Sequence, residues 1–204
     1  MSLDHQAQDV IDFADIHQIE KMTLIGHGMG GKVAMRVGMF FPDRVEAVMS
    51  VDSPAYDLRV FPKYNKKTYD IVKTVSEIDV IGLSYAKVLS EVEKIWDNQT
   101  AAVYRTMKHL KFNDTKTEVI GWKSNPKYIF NNIEKYFDFD RNGKYLGPAR
   151  ILVSHSNRFR LEHYIDTFPK LRETDIVSFK DSGHWIHLDD PEGTINQILE
   201  LINS

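Results

Sequence analysis

Four glycines within six residues, Gly26, Gly28, Gly30 and Gly31, constrain this chain more than any other feature of it. They follow Met22-Thr23-Leu24-Ile25, a compact apolar run of the kind that forms a buried strand. After them Val33, Ala34, Val37 and Gly38 recur as the apolar or small face of a helix, with Pro42 beyond its end. Upstream, Ser2 can cap a helix whose inner face carries Ala7, Val10, Ile11 and Ala14. Downstream, Val45 to Val51 reads as a second buried strand, closed by Asp52-Ser53-Pro54. Helix, strand, helix, strand in this order predicts parallel strands joined by crossover helices.

The alternation resumes late. Ala149 to Val153 and Thr174 to Phe179 read as strands, and Leu161 to Phe168 as a short helix. Pro191 opens a last helix with Ile195, Ile198, Leu199 and Ile202 expected to face inward. Between the halves, residues 53–148 are rich in Lys and aromatics and show no convincing strand pair. Val80 to Trp96, Asn98 to Lys111 and Pro126 to Phe139 read as helices. The expected organisation is therefore a core of 1–52 with 149–204 and an inserted helical cap of 53–148.

Composition excludes several functions. Lys plus Arg number 26 against 29 Asp plus Glu, a net charge of −3, which advertises no nucleic-acid partner. With no cysteine there is no thiol nucleophile and no Cys-ligated metal. Asp138 to Gly143 faintly resembles a calcium loop but lacks the closing Glu, so a turn is expected. His109, His155 and His163 show no ligand spacing, and neither a metal nor a cofactor is expected. The glycine run lacks the Gly-Lys-Ser/Thr ending of a phosphate loop. No apolar run approaches the roughly 20 residues of a membrane span. Met1 to Asp9 carries acids and no Arg, unlike a targeting segment.

A strand, Gly-x-x-x-Gly and a helix make the layout of a nucleophile elbow, in which a sharp turn lifts one side chain above the sheet edge. Leu24-Ile25-Gly26-His27-Gly28-Met29-Gly30-Gly31 closely resembles the elbow of α/β-hydrolase esterases and lipases. Ser182-Gly183-His184-Trp185-Ile186-His187, after a strand and before a helix, resembles their histidine loop. With Val51 to Pro54 and Tyr145 to Pro148, the chain is similar to the esterase-like abhydrolase-domain proteins of bacteria and mitochondria. The resemblance implies a partial α/β-hydrolase fold holding the last four of eight strands. Four strands and a helix would precede the elbow strand, together with a His-Gly loop donating an oxyanion-hole amide.

The same resemblance implies site residues. His184 would be the base and Asp52 its acid, since in that subgroup the acid follows the strand after the elbow strand; the more usual acid loop, Ser154 to Phe159, contains no carboxylate, which favours Asp52. Met29 would give an oxyanion amide, while His27 would pack beneath the turn and His187 locally. The nucleophile position is held by Gly28, which has no hydroxyl to activate. Three readings follow. One is a catalytically inactive hydrolase fold serving as a structural or interaction subunit, of a mitochondrial assembly if the animal members are a guide. Its partner would cover the apolar edge at Met22 to Ile25. The second is a carboxylic-ester or lipid hydrolase completed in trans or truncated here. The third is an acyl-ligand module lined by Tyr85, Val88, Trp96, Tyr104, Tyr128 and Phe130.

Overall fold

The Ser2 hydroxyl caps the first helix by accepting the His5 amide at 3.3 Å. That helix, α1 (Leu3–Ile16), buries Leu3, Ala7, Ile11 and Ala14 along one stripe and packs on α2 (Met29–Phe40). Between them runs β1 (Met22–His27), and after α2 comes β2 (Val45–Val51). The computed structural model describes residues 2–60, 62–96, 100–155, 157 and 159–203. Its contacts divide into two compact units, Met1–Leu58 with Lys135–Ser204, and Arg59–Glu134.

In the first unit β1, β2, β5 (Ala149–Ser154) and β6 (Ile176–Phe179) form a parallel sheet in the order β1-β2-β5-β6. This is the α/β arrangement expected from the alternating pattern. On one face, the short α8 (Ile186–Asp189) and the last helix, α9 (Pro191–Ile202), close a core of Ala47, Met49, Val51, Leu152, Phe179, Ile186 and Leu201. Asp190 caps α9 through the Gly193 amide at 2.8 Å. The rotation of α9 departs from the expected one. Thr194 and Leu201 are buried and Ile198 partly so, whereas Ile195, Leu199 and Ile202 are each more than half exposed. The cause is Arg150 of β5, which donates to Gln197 at 2.8 Å and Glu200 at 2.6 Å and draws that flank of α9 toward β5. The stretch read as a helix from Leu161 to Phe168 is a 3-10 turn at Leu161–His163 followed by further turns.

The second unit contains α3 (Pro62–Glu77), α4 (Tyr85–Ile95), α5 (Thr100–Lys108), β3 (Leu110–Phe112), β4 (Val119–Trp122) and α6 (Pro126–Asn131). The segment is not all helical: β3 and β4 form an antiparallel hairpin, pairing Leu110 with Trp122 and Phe112 with Val119. Val80, Val88, Val92, Val103, Met107, Leu110 and Val119 make its core, with Trp96 against it. The helix expected from Val80 begins only at Tyr85, capped by Ser84. The one expected from Asn98 ends at Lys108, and Asn98 itself lies outside the described residues. Pro126 to Phe139 is broken into α6 and α7 (Ile133–Phe137). The pocket lining proposed from sequence does not assemble: Val88 and Trp96 belong to the unit's core, while Tyr85, Tyr104 and Tyr128 are about half exposed.

This unit is narrower than the expected 53–148 cap, because α2 grips the chain that follows it. Lys32, 1% exposed, donates to the carbonyls of Phe137 at 3.0 Å, Tyr136 at 3.3 Å and Asp138 at 3.4 Å. Arg36 donates to the Asp140 carbonyl and pairs with Asp4. These bonds fix residues 136–140 to the first unit. Replacing Lys32 with Met strands the three carbonyls, a loss of about 2–3 kcal/mol. Thermal denaturation should register it as a Tm lower by about 5–10 °C.

Candidate active site

Gly28 and Met29, Asp52, and His184 follow the carboxyl ends of β1, β2 and β6 respectively, where open α/β sheets bind ligands. Gly26 is the penultimate residue of β1. An added Cβ there would stand 2.1 Å from the Gly30 carbonyl oxygen, so the first turn of α2 closes directly over the strand. Gly28 follows at φ 55°, ψ −119°, with positive φ that side chains adopt only under strain. Its amide donates to the Val51 carbonyl at 3.0 Å, tying the turn to the end of β2. Met29 opens α2, so its N–H lies in the first turn, where helix geometry supplies no acceptor.

At the end of β2, Asp52 takes φ 52° and its carboxylate is fully buried. Burial of a carboxylate is tolerated because donors surround it. Its Oδ1 accepts the Ser154 amide at 2.9 Å, and its Oδ2 accepts Asn157 Nδ2 at 2.6 Å and lies 2.7 Å from His184 Nδ1. A carboxylate accepts, so Nδ1 is the donor in this contact and Nε2 is the ring nitrogen left facing away from Asp52. The ring is 40% exposed on its outer side. His184 belongs to a loop pinned at two points: Ser182 accepts the His155 amide at 3.1 Å, and Asp189 accepts the Gly183 amide at 2.8 Å.

His27 braces the same loop. Its Nε2 lies 2.8 Å from the His184 carbonyl, and its ring packs at 4.4 Å from that of His184 and 4.8 Å from that of His187. Tyr136 is also close. Burial, and secondly the charge of Asp52, pushes its phenol pKa up. A groove of about 290 Å³, lined by Val153, Ser154, His155, Asn157, Phe159 and Ile176 among others, opens beside the acid's ligands.

The relation of Gly28 to His184 organises the site. A Cβ built on Gly28 would lie 3.5 Å from Nε2 and 3.7 Å from Cε1 of His184. The elbow thus directs Gly28, a position without a side chain, at the outward nitrogen of a histidine oriented by a buried acid. The structure brings together Gly28, Met29, Asp52 and His184. Asn157 and Tyr136 were missed. Asn157 sits in the very loop noted for lacking a carboxylate, and there it donates to Asp52 instead of replacing it. Ser156 and Arg158 of that loop lie outside the described residues. Among the described residues no cluster of three or more His, Asp or Glu is placed to hold a metal, and no helix is long and apolar enough to cross a membrane.

Known proteins share this fold. The sequence profile of the α/β-hydrolase fold matches residues 1–191. Esterase YbfF of Escherichia coli is 24% identical over all of this chain, which spans 76% of that protein. The sn-1-specific diacylglycerol lipase ABHD11 of Danio rerio is 26% identical over 99% of the chain, which spans only 63% of the zebrafish protein, less than two thirds. Among solved structures, a marine microorganism esterase superposes with a TM-score of 0.82 at 23% identity, covering 98% of this chain and 77% of its own. With a family profile matched along nearly its whole length, this chain belongs to the α/β-hydrolase fold family.

Proposed function

We propose that this chain is a hydrolase-fold protein that forms no acyl-enzyme and serves as an interaction subunit around a retained acid–histidine pair. The observation that carries the reading is the 3.5 Å between the Cβ position of Gly28 and His184 Nε2. In the esterase mechanism a hydroxyl at that point gives its proton to the histidine and attacks the ester. Glycine offers nothing to acylate. Loss of a triad nucleophile removes about 10⁶ in rate in a comparable hydrolase. Met29 and Asp52 then keep the positions of an oxyanion donor and an orienting acid without a covalent step to serve. Wild-type chain exposed to a fluorophosphonate should gain no mass. Stoichiometric labelling would overturn the reading.

The partner side of the proposal rests on the sheet edge. Among the described residues β1 pairs only with β2, and Ile25 is 44% exposed. Ile25, Met49 and Arg150 are in register across β1, β2 and β5 and so share the face that α9 covers. Arg150 holds the Gln197–Glu200 flank of α9, which turns the opposite flank, Ile195, Leu199 and Ile202, toward the β1 side. A row of unpaired backbone beside an apolar helix flank suits a strand followed by an amphipathic helix, and the partner is a polypeptide that supplies both. Native mass spectrometry of the chain purified from its source should show one such polypeptide in stoichiometric amount, lost on Ile25→Lys. A monomer with its edge open in solution would contradict it. The family resemblance carried by the elbow and the histidine loop adds a mitochondrial location to the proposal, which fractionation of the source cells tests.

A further inference from the structure

The β3–β4 hairpin turns a face outward that is built unlike the rest of the second unit. Strand alternation sends Leu110, Phe112, Val119 and Trp122 to the unit's core and leaves Lys111, opposite Gly121, on the outer side. The Lys123 amide donates to the His109 carbonyl at 2.6 Å, which extends the pairing one step past β4 and places Lys123 on that outer side too. Phe112 faces Val119 while Lys111 faces Gly121, so Ile120 is the extra residue of a bulge. The bulge holds it away from the core, 51% exposed. Beside it, Lys123 Nζ donates to the Lys108 carbonyl at 2.6 Å, and Lys108 Nζ lies 4.6 Å from the centre of the half-exposed Tyr104 ring. Tyr104, Lys108, Lys111, Ile120 and Lys123 thus make one continuous surface.

The charge of this surface is uncompensated. On α3 and α4, Lys66 pairs with Asp70, Lys73 with Glu77, and Lys87 and Lys94 with Glu91. Among the described residues Lys108, Lys111 and Lys123 take part in no ion pair. Nearby in the chain Arg105, Lys116 and Lys127 add positive charge, against only Asp114 and Glu118 in the hairpin turn. Ammonium groups set around exposed apolar side chains match the boundary of an anionic lipid layer. There the cations meet phosphate and carboxylate headgroups while the apolar tips enter the acyl margin. A nucleic acid or an acidic peptide is gripped best by Arg, whose planar fork bonds at two points, and neither calls for an isoleucine aimed outward by a bulge. We infer that this face docks on an anionic lipid bilayer, with Tyr104 and Ile120 at the headgroup boundary and the three lysines against the headgroups. The inference is carried by the second unit alone, apart from the elbow and the β1 edge.

The test is co-sedimentation of the whole chain with vesicles of phosphatidylcholine alone and of equimolar phosphatidylcholine and phosphatidylserine. Wild type should bind the second and not the first. Each lysine near such a surface is worth about fivefold in partition, so Lys108→Gln, Lys111→Gln and Lys123→Gln together should cost about 10²-fold. Ile120→Ser should cost about tenfold, the loss of half an isoleucine's burial. Lys87→Gln with Lys94→Gln, charges already met by Glu91, should leave binding nearly unchanged. Raising salt from about 0.1 M to about 1 M shortens the screening length from about 10 Å to about 3 Å and should release the chain. Ile120→Trp should add a fluorescence signal that moves to the blue on the anionic vesicles only. Should a variant fail to fold by circular dichroism, the lipid and salt dependence of wild type decide alone. No binding to anionic vesicles, equal binding to neutral ones, or wild-type binding by the triple-lysine variant or by Ile120→Ser would each overturn the inference. So would binding to polyglutamate or RNA in place of the vesicles. Ile25→Lys should leave vesicle binding intact, so this inference and the β1-edge partner fail separately.

Discussion

Gly28→Ser should convert this chain into one that hydrolyses p-nitrophenyl esters with a burst of p-nitrophenol. The new Cβ falls 3.5 Å from His184 Nε2, and a serine hydroxyl one bond further comes within hydrogen-bond reach of it. The base is already oriented, because Asp52 binds Nδ1 at 2.7 Å and is fully buried. A full triad nucleophile is worth about 10⁶. With the Met29 N–H as the one proposed oxyanion donor, the missing second donor forfeits about 10²–10³. The expected gain in turnover is therefore about 10³-fold. Serine at φ 55° is strained, at about 1–3 kcal/mol, so the variant should be less stable as well as more active. Stopped-flow absorbance checks the burst, and a second change, His184→Ala, should remove it. A Gly28→Ser chain as slow as wild type would show that the oriented base does not reach residue 28.

Gly26→Ala should be the most damaging single methyl in the molecule. Its Cβ would stand 2.1 Å from the oxygen and 2.3 Å from the carbon of the Gly30 carbonyl, and 2.5 Å from the Gly31 nitrogen. These are backbone atoms of the first turn of α2, so no rotamer relieves the contact. Relief requires lifting the helix from β1, which also disturbs the bond from the Gly28 amide to Val51. Overpacking commonly costs about 1–3 kcal/mol, and a rigid backbone neighbour puts this case at or above the top of that range. Thermal denaturation should show Tm lower by about 10 °C, or no folded chain at all. A shift under 2 °C would contradict the elbow geometry. Gly28→Ala, with no atom nearer than 3.5 Å, should be far milder, which separates a steric from a conformational need for glycine.

How much of this was legible in the sequence differs between the two units. Strands β1, β2, β5 and β6 announced themselves as short apolar runs because each is covered on at least one face and flanked by a helical repeat. The rotation of α9 did not, because one buried-face position is Thr194 and three apolar residues lie outside, a choice set by Arg150 from a strand some fifty residues away in the chain. The hairpin β3–β4 was missed since its strands have only three and four residues, too few to show a period of two. Its loop is organised by Asn113, whose Oδ1 accepts the Thr117 and Glu118 amides. The α3 helix was missed because its Lys-rich sequence opens at Pro62 with few apolar positions to mark a face.

The site was legible where motif and chemistry coincide. Gly28 and His184 were singled out from their local strings, and Asp52 from the acid position of the family that those strings resemble. Asn157 and Tyr136 carry no local signal, because their part depends on closeness to Asp52 across about a hundred residues of chain. Lys32 reads as an ordinary helix-surface lysine until residues 136–138 are laid over it.

The central claim is that the elbow aims residue 28 at the free nitrogen of an acid-paired histidine, and that glycine there is what prevents an acyl-enzyme. The most direct measurement treats wild type, Gly28→Ser and Gly28→Ser with His184→Ala with a fluorophosphonate and maps the adduct by peptide mass spectrometry. An adduct is expected on residue 28 of the single variant and on neither of the other two chains. An adduct on the wild-type chain, or none on Gly28→Ser while it remains folded, would contradict it.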